Sequence, residues 1–247
     1  MSFAVVTGAS SGIGRSTAEQ LKQQGWQVLA VARREERLHE LAEQIGCEYF
    51  TADLTKDEDV AALVDYAHGI GQVDAVANIA GGAIGVDSVA DAQVERWQTM
   101  FDVNALSALR VSKAFLPQLR KHGGTLLFLT STAAHGTYPG GGGYVAAKHA
   151  ERAIVTTLRQ ELVGEPVRLI EIAPGMVHTP EFSLNRLGSQ EAADAVYEGV
   201  EKPLTAEDVA EAVTWTLNLP PHFNVDTMII RPVEQATHTV TKRMGSK

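Results

Sequence analysis

The sequence of 247 residues is poor in cysteine, in long apolar runs and in positive charge. Its single cysteine, Cys47, excludes an intramolecular disulfide and is typical of a protein in a reducing compartment. No apolar run approaches the roughly 20 residues that cross a bilayer. The 21 lysines and arginines face 30 aspartates and glutamates, which argues against nucleic acid and anionic membrane as partners. The first residues show no leader pattern, so the sequence predicts a cytoplasmic protein.

Short β-branched segments alternate with amphipathic stretches along the whole chain. The predicted strands are residues 3–7, 27–32, 48–52, 74–77, 125–130, 167–173 and 227–231. The predicted helices are residues 13–24, 35–45, 57–68, 104–121, 144–162 and 206–217. Strands that alternate with helices form a parallel sheet with helices on both faces. We therefore predict an α/β protein with one domain over residues 1–247, built on a doubly wound, seven-stranded sheet.

One segment, residues 179–202, interrupts this alternation between the sixth predicted strand and the last helix. A long insertion beyond the carboxyl end of a strand is a common place for a substrate lid. The alternative is a surface excursion without function. We call residues 179–202 the lid-like segment.

A glycine-rich segment, residues 7–14, joins the first predicted strand to the first helix. Glycines allow a tight turn and let the backbone approach a pyrophosphate, while free N–H groups at the helix start face the anion. Turns also use glycine for steric reasons alone, but the position between strand and helix favours dinucleotide binding. The predicted contacts are Gly8, Ser10, Ser11, Gly12, Ile13 and Gly14.

The end of the second strand indicates which dinucleotide is bound. An acidic residue there would hold the ribose 2′-hydroxyl of NAD, but the sequence reads Arg33-Arg34. Two guanidinium groups suit a 2′-phosphate, which favours NADP(H) over NAD(H), although two solvated arginines are the alternative. Asp53, followed by Leu54 at the end of the third strand, either meets the adenine ring or caps the next helix.

Four polar residues suggest acid–base chemistry at the carboxyl edge of the sheet. Tyr144 and Lys148 lie one helical turn apart, Ser131 ends the fifth strand, and Asn104 opens the preceding helix. Reduction of a carbonyl needs a proton and the reverse reaction needs a base, but a free tyrosine has a pKa of about 10. A nearby ammonium lowers that pKa, and a shift of roughly 3 units needs about 4 kcal/mol.

In this interpretation Ser131 positions the substrate oxygen, and Asn104 holds a water that returns protons to Lys148. The sequence contains no His, Cys and Asp cluster with metal-ligand spacing, so no metal is expected.

Six sequence features occur in the order found in short-chain dehydrogenases/reductases. They are residues 7–14, the loop Asn78-Ile79-Ala80-Gly81, Asn104, Ser131, Tyr144 with Lys148, and Pro174-Gly175. The sequence therefore resembles this family over nearly its whole length. The resemblance implies a Rossmann-type fold and a tetrad of Asn104, Ser131, Tyr144 and Lys148.

The resemblance also implies cofactor contacts outside the glycine-rich turn. Lys148 would bind the nicotinamide ribose, and Val177 and Thr179 would meet the carboxamide. The other implied contacts are Asn78, Ala80, Gly81, Tyr144, Pro174 and Gly175. Ile79 stands where the family usually has asparagine, and we expect a modest effect on local hydrogen bonds or cofactor affinity.

The last third resembles one branch, the NADP-dependent 3-hydroxy acid dehydrogenases that include serine and L-allo-threonine dehydrogenases. The matching segments are residues 174–177, 181–183, 197–199, 204–208, 219–222 and 231–233. A hydroxy acid carries a carboxylate, and Arg186 is the predicted partner, with an exposed lid arginine as the alternative. His135 and Tyr138 either line the substrate pocket or pack within their loop.

Two other functions stay open on the sequence. One is a broader NADPH-dependent reductase of neutral ketones, aldehydes or quinones, and the other is an NADP-sensing protein without turnover. Apolar residues on more than one face of helices 104–121 and 144–162 predict a homo-oligomer, a tetramer or a dimer.

Overall fold

The computed structural model describes residues 1–245, and a parallel sheet of seven strands runs through its centre. The strand order is β3-β2-β1-β4-β5-β6-β9. These strands are β1 (Phe3–Thr7), β2 (Gln27–Ala32), β3 (Glu48–Thr51), β4 (Ala75–Asn78), β5 (Gly124–Leu129), β6 (Val167–Pro174) and β9 (Thr227–Ile230). The predicted doubly wound fold is confirmed, with small shifts at the strand ends.

Helices cover both faces of this sheet. They are α1 (Gly12–Gln23), α2 (Glu35–Ile45), α3 (Asp57–Ile70), α4 (Val94–Phe101), α5 (Ser107–His122), α6 (Gly142–Glu161), α7 (Phe182–Leu187), α8 (Gln190–Ala195) and α9 (Ala206–Leu217). One core cluster joins the sheet to α3, α5 and α6, and a second joins it to α1, α2 and α9. A sheet covered on both faces explains why β1, β2 and β5 are apolar over most of their length.

Successive residues of β1 show how one strand serves both clusters. Phe3 and Val5 pack into the first cluster, whereas Ala4 and Val6 pack into the second. Side chains alternate between the two faces of a strand. A shift of one residue in register would therefore move the residues of each cluster to the opposite face of the sheet. The glycine-rich turn that follows Thr7 is thereby held at a fixed height on the carboxyl edge.

The helix predicted to open at Asn104 was wrong at its start. Helix α4 runs into a π-helical turn at Asp102–Leu106, which continues into α5. Asn104 therefore lies within a continuous helical segment, and its Nδ2 donates to the Met100 carbonyl over 2.7 Å. Helix α4, in which Met100 is the one buried residue, was absent from the predicted elements.

The lid-like segment forms a small substructure beside the carboxyl edge. It contains α7 and α8, and a short parallel pair, β7 (Val177–His178) with β8 (Leu204–Thr205), closes its base. The chain end also reaches this region, because Met244 N donates to Gly199 O over 2.7 Å. Among residues 1–245, no helix is both long and apolar enough to cross a membrane.

Arg168 on β6 ties the sheet to the end of α9. Its guanidinium donates to Thr125 Oγ1 over 3.0 Å and to the carbonyls of Thr216, Leu217 and Leu219 over 2.9–3.2 Å. The last carbonyls of a helix have no partner inside the helix and carry partial negative charge. A half-buried arginine therefore satisfies carbonyls at the C-terminus of α9.

We expect Arg168→Ala to lower the free energy of unfolding by roughly 2–4 kcal/mol, because several charge-assisted hydrogen bonds to buried carbonyls are lost. Chemical denaturation measures this change. Arg120→Ala is the control: Arg120 is 53% exposed and pairs with Glu165. Its removal should cost less than about 1 kcal/mol. Equal losses in the two variants would contradict the role of Arg168.

Candidate active site

The glycine-rich turn is packed too tightly for side chains at two of its glycines. Gly8 has φ +71°, and a Cβ there would lie 2.9 Å from Ala80 Cα. A Cβ at Gly14 would overlap the carbonyl oxygen of Gly8. The first residues of α1, Gly-Ile-Gly-Arg, offer no carboxylate to the backbone N–H groups of that turn. The cradle therefore fits an anion that approaches the backbone closely.

Thr7 links this turn to the loop after β4. Its hydroxyl accepts hydrogen bonds from the N–H groups of Ile79 and Ala80, over 2.9 and 3.0 Å, and donates to Ala77 O. The Ile79 side chain is buried in the second core cluster. Asn78 donates to Ser112 Oγ over 3.2 Å. The sequence analysis did not single out Thr7, although the sequence places a residue with a hydroxyl group at the end of the first strand.

The two predicted arginines behave differently. Arg34 lies against the turn, where its guanidinium donates to Ser10 Oγ over 2.8 Å and to Ser11 Oγ over 2.9 Å. Arg33 is exposed, and its charge acts on Asp53 instead. Arg34 also pairs over 2.8 Å with Glu181 of the lid-like segment.

Glu181 has a second arginine partner that the sequence reasoning missed. Arg37, on the first turn of α2, pairs with the same carboxylate as Arg34. The Arg34 hydrogen bond is the main cause that lowers the pKa of Glu181 to about 2. A carboxylate of the lid-like segment thus occupies a cationic site beside the glycine-rich turn.

Asp53 closes a local turn. Its Oδ1 accepts from the Thr55 N–H over 3.1 Å and from the Thr55 hydroxyl over 2.8 Å, whereas α3 begins after Lys56. The helix-capping alternative was therefore wrong. Burial acts to raise the pKa of Asp53, but the bonds from Thr55 outweigh it and lower that pKa. Leu54 beside it is buried.

Tyr144 and Lys148 lie on the buried face of α6. Lys148 Nζ is 5.9 Å from the centre of the Tyr144 ring and donates to Leu129 O over 2.9 Å. Lys148 also pairs over 2.6 Å with Glu151, a buried carboxylate absent from the predicted site. Ser131 begins a short 3₁₀ turn, and its Oγ accepts from Ala133 N over 3.1 Å. The structure thus brings Ser131, Tyr144 and Lys148 to one edge of the sheet.

The pKa of Tyr144 is raised in the protein alone. Burial is the main cause, and the Lys148 charge and a hydrogen bond with Ser131 lower the pKa only in part. Glu151 adds to the rise. The sequence analysis considered only the effect of a nearby ammonium on the pKa of a free tyrosine. It did not include burial of Tyr144 or the carboxylate that pairs with Lys148.

Asn104 is fully buried, and its amide is committed to backbone groups. Nδ2 donates to Met100 O and Gly82 O, over 2.7 and 2.8 Å, and Oδ1 accepts from Gly82 N over 3.1 Å. A Cβ on Gly81 would lie 2.5 Å from Asn104 Oδ1 and 3.5 Å from Lys148 Nζ. Because both amide donors are used, the side chain fixes the loop after β4 next to Lys148.

Arg186 of α7 approaches the same site from the lid-like segment. Its guanidinium carbon lies 5.9 Å from the Tyr144 ring centre, and Nη1 donates to Tyr138 Oη over 3.2 Å. Its other bonds go to the carbonyls of Gly85 and Gly140. Among residues 1–245, no carboxylate lies within ion-pair distance of Arg186.

Tyr138 and His135 meet different partners. Tyr138 stacks on His238 with ring centres 5.4 Å apart, so it joins Arg186 to the chain end. His135 Nε2 lies 2.9 Å from Glu171 Oε1, and Glu171 is fully buried on β6. This ring nitrogen is therefore occupied by a carboxylate and is not free for a substrate.

Comparisons with known proteins agree with this geometry. The profile of the short chain dehydrogenase family matches residues 2–188. A serine 3-dehydrogenase from Agrobacterium fabrum is 38% identical over 94% of each chain. An NADP-dependent 3-hydroxy acid dehydrogenase from Shigella flexneri is 36% identical over 94% of this chain and 95% of the relative. The closed form of a serine dehydrogenase complexed with NADP⁺ superposes with a TM-score of 0.91 at 34% identity, covering 95% and 96% of the two chains.

The family match spans most of the chain, and the relatives align over nearly all of it. The chain belongs to the short-chain dehydrogenase/reductase family.

Proposed function

We propose that the protein is an NADP(H)-dependent oxidoreductase that interconverts a small 3-hydroxy acid and the corresponding 3-oxo acid. The observation that carries this proposal is Arg186, a cation near the Tyr144 ring with no carboxylate partner among the described residues. The neutral-carbonyl reductase and the cofactor sensor do not require a cation beside Tyr144.

A substrate carboxylate would complete the environment of Arg186. Its guanidinium is half-buried and bonded to neutral acceptors, the Tyr138 hydroxyl and the Gly85 carbonyl. A planar guanidinium binds carboxylates in bidentate fashion, which would orient the substrate as well as hold it. Serine and 3-hydroxy acids, named in two relatives, both carry a carboxylate. These relatives support the substrate class.

NADP(H) fits the cationic side of the glycine-rich turn. The Gly8 and Gly14 cradle suits a pyrophosphate, and Arg34 with Arg37 suits a 2′-phosphate. Two relatives are named for NADP or were solved with it. When bound, the nicotinamide supplies or takes up the hydride. Glu181 pairs with both arginines. A 2′-phosphate would therefore either displace the Glu181 carboxylate or share the two guanidinium groups with it.

The remaining cofactor contacts proposed from the family pattern surround this cradle. The loop after β4 lies against Gly8, and the segment after β6 leads into the lid-like segment. The proposed contacts there are Asn78, Ala80, Gly81, Pro174, Gly175, Val177 and Thr179. Asp53 and Leu54 are proposed for the adenine side.

The proton chemistry is assigned to the residues beside Arg186. Tyr144 would give a proton to the carbonyl oxygen in reduction and take it back in oxidation. Lys148 would lower the cost of the phenolate and hold the nicotinamide ribose. Ser131 would hydrogen-bond the reacting oxygen, and Asn104 would fix the neighbouring loop.

The homo-oligomeric state and the cytoplasmic location stay predictions. The prediction of a homo-oligomer was based on apolar residues over more than one face of two helices. Two of these residues, Val111 and Phe115, are buried in the core. Leu109 is 39% exposed, and a cavity of about 540 Å³ lies against α6 between Trp97 and His149. A homo-oligomer, a tetramer or a dimer, stays a prediction, and sedimentation of the purified protein would distinguish these states from a monomer.

The acid–base role is tested by Tyr144→Phe. We expect turnover to fall by about 100-fold or more, because the proton donor is removed, while the dissociation constant for NADPH changes little. Initial rates and cofactor fluorescence measure the two quantities. Tyr66→Phe, at a surface tyrosine that is 39% exposed, is the control. Normal turnover in the Tyr144 variant would exclude the role.

The cofactor assignment is tested by Arg34→Ala. The dissociation constant for NADPH should rise about 10–100-fold, because charge-assisted bonds to the 2′-phosphate are lost, while that for NADH should stay nearly unchanged. Arg120→Ala is the control, since Arg120 is 53% exposed and lies at the end of α5. A loss that is equal for both dinucleotides would contradict the assignment.

The substrate class is tested by a panel of 3-oxo acids and neutral aldehydes and ketones with NADPH. We expect Arg186→Ala to lower kcat/KM for the carboxylated compounds by about 10–100-fold and to leave neutral compounds nearly unaffected. Asn185→Ala, an exposed neighbour on α7, is the control. Turnover mainly on neutral carbonyls in the unmodified protein would favour the general reductase. Cofactor binding without turnover would favour the sensor.

A further inference from the structure

A buried carboxylate lies next to Lys148 on the same helix. Glu151 is fully buried, and its Oε2 is 2.6 Å from Lys148 Nζ. Its other oxygen, Oε1, has no hydrogen-bond partner among residues 1–245. Burial of a half-satisfied carboxylate is costly, so its contact with Lys148 compensates only part of that cost. An apolar side chain at this position would avoid the cost, which points to a role beyond packing.

A second buried carboxylate approaches Glu151 from the sheet. Glu171 on β6 accepts from Thr130 and Thr227, over 2.7 and 2.9 Å, and contacts His135 over 2.9 Å. Arg152 of α6 lies 3.8 Å from Glu171, with a half-exposed side chain.

Glu151 therefore faces three ionisable groups. Lys148 and Tyr144 share its helix, and Glu171 comes from β6. Burial raises the pKa of Glu151 to about 7, with Lys148 opposing the rise and Glu171 adding to it. The carboxylate thus changes charge close to neutral pH.

The charge on Glu151 decides how strongly Lys148 can act on Tyr144. Burial lowers the pKa of Lys148, but the charges of Glu151 and Tyr144 outweigh it, and Lys148 stays protonated. An ionised Glu151 neutralises that ammonium and itself disfavours a phenolate nearby. A protonated Glu151 leaves the ammonium free to stabilise the phenolate.

We propose that Glu151 is a positioning residue that keeps Tyr144 protonated to higher pH by pairing with Lys148. The consequence is that carbonyl reduction, which needs the phenol, extends to more alkaline pH, and alcohol oxidation begins at higher pH. This inference rests on the proposed acid–base role of Tyr144.

The test is a titration of the Tyr144 phenol in the protein without cofactor or substrate. Ultraviolet absorbance of the phenolate is recorded against pH, with and without Tyr144→Phe in each background, so that the difference isolates this tyrosine. We expect Glu151→Gln to lower the ionisation midpoint by about one pH unit, because one buried negative charge is removed. Glu151→Asp keeps the charge and should stay near the unmodified value.

The control is Glu161→Gln, an exposed glutamate near the end of the same helix, which should leave the midpoint unchanged. Glu151→Leu removes the same charge but places an apolar side chain at this position, and it is titrated in parallel. Circular dichroism establishes that each variant folds. The acidic limb of kcat/KM for alcohol oxidation, where activity rises as Tyr144 ionises, should move down in pH with the phenol.

An unchanged or raised midpoint in a folded Glu151 variant overturns the inference. Failure of both neutral variants to fold also overturns it, because Glu151 would then be structural. Neither result affects the proposed function. Normal turnover in Tyr144→Phe removes the proposed acid–base role instead, whatever the titration shows.

Discussion

The candidate site depends on a close approach of two loops at the carboxyl edge of the sheet. The turn after β1 and the loop after β4 meet where Gly8 faces Ala80, and the Thr7 hydroxyl ties them together. From there, short contacts continue through Gly81 to Asn104 and Lys148. At Gly8 and Gly81 the neighbouring atoms leave no room for a Cβ. A side chain at either glycine would push the turn after β1 or Asn104 away from the loop after β4.

The alternating pattern predicted the sheet well because parallel strands buried on both faces read as short apolar runs. Ser131, Tyr144 and Lys148 could be placed near one another from the sequence because Ser131 follows a strand end and the other two share a helix face, which are features of spacing. The start of the helix at Asn104 was missed because a π-helical turn depends on side-chain bonds such as that from Asn104 to Met100. Spacing along the chain does not encode such bonds.

Several contacts of the site join segments far apart in the sequence, and these could not be predicted. Arg34, rather than Arg33, faces the glycine-rich turn because the end of β2 is oriented by the sheet. His135 turns to Glu171, which reads in the sequence as a polar residue inside a strand. Glu151 is different, since its spacing of three residues from Lys148 was visible. Its burial was not, because a glutamate on a helix is usually solvated.

The pairing of Glu181 with Arg34 and Arg37 would make binding of a 2′-phosphate an exchange of one anion for another. Glu181 offsets one of the two positive charges beforehand, so the gain in charge pairing would be smaller than for two free arginines. Affinity would then respond less to ionic strength than two free arginines would suggest. Glu181 directly precedes α7, the helix that carries Arg186. Release of its carboxylate from the arginines would therefore remove one tether of the lid-like segment, which links the cofactor side of the site to the residue proposed to hold the substrate.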